Sequence, residues 1–113
     1  MAFLGAFKEA INHIRFRLHA SKPLQPASVT LTIQPLSELP INVPMVESPD
    51  TDGIPHNEFV SATPFDTTGH NLGAGTIRLN VLGADGVPAS RVDNLSLISS
   101  YGRHYGLDYG RGL

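Results

Sequence analysis

Leu4, Phe7, Ile11, Ile14 and Leu18 recur three or four residues apart, with Phe3 beside them, which is the one-sided stripe of a 3.6-residue period. The pattern predicts an amphipathic helix within residues 1–22. Lys8, Glu9, Asn12 and Arg15 fall off the stripe and Pro23 lies just past its end, where helices commonly stop. A second pattern competes from His13 to His19, where Ile14, Phe16 and Leu18 alternate with Arg15, Arg17 and His19. A strand there accounts for Phe16, which a helix leaves on its polar side.

Beyond Pro26 the period changes to two. Val29, Leu31 and Ile33 alternate with Thr30 and Thr32, a β-branched run suited to a half-buried strand. Ile41, Val43 and Met45 alternate as well, but Pro40 and Pro44 remove two ladder donors, so an edge strand or extended arm is expected. Between Glu47 and Gly75 only Glu58 to Ala62 reads as a strand; the rest is rich in Pro, Asp, Thr, Asn and Gly. A loop of that length implies binding or packing on a neighbour. Ile77, Leu79 and Val81 form the clearest strand, and Gly83-Ala84-Asp85-Gly86 supplies the hairpin turn, because Asp-Gly readily takes positive φ. The stretch Leu79 to Ala89 is similar to a strand-turn-strand segment common in immunoglobulin-like sandwiches of bacterial and phage surface proteins. It covers under a tenth of the chain and is not read as a family match.

Tyr101-Gly102, Tyr105-Gly106 and Tyr109-Gly110 repeat every four residues. Glycine costs about 1 kcal/mol against alanine inside a helix, so an extended tail is expected. The fold class that follows is mainly β: a small antiparallel β-sandwich or barrel over residues 23–100, an amphipathic helix or arm over 1–22, and an extended tail over 101–113.

Composition narrows the function classes. The 113 residues are 41% hydrophobic and 16% charged, without cysteine, which excludes disulfides and thiolate chemistry. No apolar run approaches the length of a spanning helix, so no membrane span is expected. The N-terminus lacks a charged region ahead of its apolar residues, so synthesis and retention in the cytoplasm are the expectation. The net charge of −2 offers little repulsion between copies. Its distribution is uneven: Lys8, Arg15, Arg17 and Lys22 against Glu9 make residues 1–22 basic, whereas residues 23–76 carry six carboxylates and no Lys or Arg.

Candidate chemistry is sparse. Asp50-Thr51-Asp52-Gly53 opens like a calcium loop, but Pro55 and Ser61 stand where the loop requires glycine and a bidentate glutamate. His56, Glu58 and His70 are the residue types of a two-histidine, one-carboxylate metal site, and a metal-dependent enzyme built on them is the third functional reading. Gly69 to Gly75 precedes a strand rather than a helix, so it lacks a phosphate cradle. No cofactor is implied.

The leading expectation is a non-enzymatic structural or assembly protein, in architecture like a small virion subunit such as a phage head or tail accessory. Its partners would be other protein subunits, reached through Phe3, Leu4, Phe7, Ile11, Ile14 and Leu18 of the stripe and Tyr101, Arg103, Tyr105, Tyr109 and Arg111 of the tail. Tyrosine covers large areas at low entropic cost. Two tail arginines beside Asp108 supply little affinity for nucleic acid, since that affinity scales with the phosphates neutralised. A monomeric module for peptide, glycan or nucleic acid, using the long loop or the tail, is the second reading.

Overall fold

Strand alternation, not helical periodicity, governs the N-terminal third of the chain. The structure, a computed structural model, describes residues 2–95 and 105–108. β1 (Ala2–Ala10) and β2 (His13–Ala20) form an antiparallel hairpin, joined through Ile11 and Asn12. Asn12 has φ 59°, a left-handed conformation that asparagine tolerates well. The amphipathic helix expected over residues 1–22 is therefore absent. On β2 the side chains of Ile14, Phe16, Leu18 and Ala20 are buried while Arg17 and His19 are exposed. Burial of Phe16 decides between the periods, because only a strand places it beside Ile14 and Leu18.

β3 (Thr30–Pro35) follows a 3₁₀ turn at Pro26–Ser28, then come β4 (Ile41–Val43) and β5 (Met45–Glu47). Pro44 stands between these short strands, and there the chain leaves one sheet for the other. Both strands lie at sheet edges, where missing proline donors break no internal ladder. β6 (Glu58–Ser61), β7 (Phe65–Asp66), β8 (Gly75–Leu82), β9 (Pro88–Asn94) and β10 (Tyr105–Asp108) complete the order.

One sheet has the order β10-β1-β2-β6-β5, with β7 also paired to β2; the other runs β4-β3-β8-β9. All strand pairs are antiparallel. The sheets share one core, to which the first contributes Leu4, Ile14, Phe16, Leu18 and Phe59 and the second Leu31, Ile33, Ile77 and Leu79. The mainly β, sandwich-like architecture is thus observed.

The C-terminal strand closes back on the chain's own edge. β10 pairs with β1 in the register Leu4↔Leu107 and Ala6↔Tyr105. A segment read as a free tail therefore includes a strand of the first sheet. Where β6 gives way to β7 along β2, Ser61 Oγ accepts the Phe16 N–H at 3.0 Å. That bond explains why a serine stands fully buried at this break in the ladder.

Candidate functional site

The outward face of β2 and β6 presents a set of polar side chains. His19 and Glu58 are register partners, and both stand on the side away from the core. The loop between β5 and β6 folds back over them. His19 Nε2 lies 2.7 Å from Asp52 Oδ2, and the Asn57 Nδ2–H donates to the same oxygen at 2.8 Å. The other Asp52 oxygen accepts the Ile54 N–H at 3.1 Å, closing an Asx turn around Gly53, whose φ is 80°. Glu58 is held by the Thr51 N–H and the Thr51 hydroxyl.

These contacts shift the acidity of Asp52. The hydrogen bond from His19, then that from the Ile54 N–H, lower its pKa from 3.8 to about 2, because both favour the ionised form. Among the described residues, His19, Asp52 and Glu58 offer ligand atoms that all lie within 4.8 Å of one another. Asn57 anchors the loop from below: it is fully buried, and its Nδ2 also donates to the Ala20 carbonyl at 3.0 Å.

Two other histidines are engaged elsewhere. His56 Nδ1 meets Glu47 Oε1 at 2.7 Å, and His70 Nδ1 meets Glu38 Oε1 at 2.6 Å. The expected set of His56, Glu58 and His70 does not converge, because each member faces a different partner. Glu58 is the one member that enters a cluster, with His19 and Asp52 in place of the two histidines. The long polar loop hid this arrangement in the sequence, since the register pairing His19 with Glu58 brings together positions far apart in the chain.

The expected partner-binding stripe is divided by the fold. Leu4, Ile14 and Leu18 are core residues, each no more than 1% exposed, so none of them offers a surface to a neighbour. Ile11 sits at the tip of the first hairpin and is 77% exposed. Phe3 and Phe7 stand on β1 opposite His19 and Arg15. Tyr105 is on β10, whereas Tyr101, Arg103, Tyr109 and Arg111 lie outside the described residues.

A different apolar surface lies at one end of the second sheet, where exposed Leu36, in the connection from β3 to β4, and exposed Val92, on β9, line grooves. Leu39, in the same connection as Leu36, is exposed as well. Two open grooves share Gly75 and Thr76: one runs beside Val92 and Asp93, the other beside Gln34 and Leu36. Sequence patterning could not separate these residues from core, because Leu36 and Leu39 lie in a run already broken by Pro35 and Pro40. Comparisons with protein-family models, with curated proteins and with solved structures match this chain to none.

Proposed function

We propose that this chain is a non-enzymatic structural subunit that assembles with further copies of itself, in the manner of a small virion component such as a phage head or tail accessory. The observation that carries the reading is that exposed Leu36 and Val92 line two grooves that meet at Gly75 and Thr76. Exposed apolar side chains grouped around a concave surface favour association, because burying them removes apolar area from water at about 25 cal/mol per Å². Among the described residues, the adjacent strand β9 is the outermost of its sheet. A net charge of −2 places little electrostatic opposition in the way of like copies.

This reading moves the contact surface away from the terminal arms. Leu4, Ile14 and Leu18 have spent their apolar area inside the subunit. Sedimentation velocity over a wide range of protein concentrations tests the proposal. The native chain should form a concentration-dependent oligomer, and L36D combined with V92D should return it to a folded monomer. A native chain that stays monomeric at the highest attainable concentration contradicts the reading, as does a double variant that assembles unchanged.

A further inference from the structure

We propose that His19, Asp52 and Glu58 bind one divalent first-row transition-metal ion, for which Zn²⁺ is the probe. Three features on the outward face of the first sheet lead there.

The first is convergence. One imidazole nitrogen and two carboxylate oxygens lie within 4.8 Å of one another. Around a single zinc ion, ligand atoms about 2.0–2.2 Å from the metal stand roughly 3–4 Å apart. Closing the difference takes rotamer adjustment in side chains that are exposed or half-buried, with no change in strand register. Glu58 and His19 are fixed by their pairing across β2 and β6, and the Asx turn presents Asp52 from above.

The second is charge. Two carboxylates meet in a chain segment without Lys or Arg from residue 23 to residue 77. Arg17 stands two residues before His19 on the same outward face of β2, opposite Val60. A divalent ion matches the charge of the two carboxylates.

The third is a buried brace. Asn57 Nδ2 donates to Asp52 Oδ2 at 2.8 Å and to the Ala20 carbonyl at 3.0 Å, which holds the Asp52 carboxylate against the sheet beside His19. Mixed nitrogen and oxygen ligation selects borderline ions such as Zn²⁺ over Ca²⁺, which takes oxygen ligands. On binding, His19 Nε2 turns its lone pair to the ion and carries its proton on Nδ1. The ion would then fasten the loop from β5 to β6 onto the sheet, whatever the oligomeric state.

Calorimetric titration of the full chain with ZnCl₂, and separately with CaCl₂, provides the test. One Zn²⁺ per chain is expected, bound more tightly than Ca²⁺, with affinity lowered at least tenfold by His19→Ala and by Asp52→Asn. His56→Ala and His70→Ala should titrate as the native protein does. NMR of the native chain under the same titration should move the His19 imidazole and the Asn57 side-chain amide, a readout that does not depend on any variant folding. Absence of stoichiometric Zn²⁺ binding overturns the proposal, and so do shifts centred on His56 or His70, or a His19→Ala variant of native affinity.

Discussion

At the scale of single residues, the chain shows where local chemistry is fixed by its neighbours. Asp52 has a folded-state pKa of about 2 against a usual value of 3.8. A carboxylate with a depressed pKa stabilises the fold above its unfolded value, and that contribution disappears as pH falls through the folded value. Acid unfolding of the native chain should therefore carry a component between about pH 4 and pH 2 that Asp52→Asn removes, as read by circular dichroism across an acid titration. Gly75 is constrained sterically. Its φ is +116°, and a Cβ built there would stand 2.1 Å from the Gln34 carbonyl oxygen and 2.9 Å from the Leu36 nitrogen. Both obstacles are backbone, so Gly75→Ala should lower stability by about 3 kcal/mol, measured by urea unfolding. Ser61 lends its hydroxyl to the buried Phe16 N–H. Ser61→Ala leaves that donor unpaired and should cost about 1–3 kcal/mol in the same assay.

At the scale of elements, the N-terminal hairpin carries the main lesson. Phe16 is wholly buried, and Phe16→Ala should destabilise the domain by about 3–5 kcal/mol, a loss that an exposed helical position would not show. The strands at Val29 to Ile33 and Ile77 to Val81 were legible because alternation, β-branching and flanking turns agree there. The edge placement of the segments around Pro40 and Pro44 was legible too, from the absent donors. The hairpin was not, because Leu4, Phe7, Ile11, Ile14 and Leu18 fit a helical stripe by coincidence. Ile11 belongs to a turn, and Leu4 and Leu18 are cross-strand partners rather than neighbours on one helix. The deciding signal was present in the alternation from His13 to His19. The pairing partners that select it come from β6 and β7, at the far side of two proline-rich connections. Spacing along the chain does not encode such pairings. The same holds for the candidate cation cluster, where Asp52 and Glu58 stood out in two separate motifs but His19 did not.

At the scale of the whole molecule, the sandwich covers its own N-terminal segment with β10 on one side and β2 on the other. The proposed contacts therefore lie away from the N-terminal arm, at the end of the second sheet. Arg15 pairs with Glu9 of its own hairpin and reaches the Ser61 carbonyl, while His19 meets Asp52. These side chains are engaged within the subunit, and the contact surface proposed for assembly is the apolar one around Leu36 and Val92. Placement of the N-terminal hairpin in the core underlies this relocation. NMR of the isotope-labelled chain tests it most directly. Cross-strand proton contacts should join Leu4 to Leu18, Ala6 to Phe16 and Leu18 to Phe59. Continuous contacts between residues three apart from Leu4 to Leu18, without those long-range pairs, would contradict the account by returning the segment to a helix.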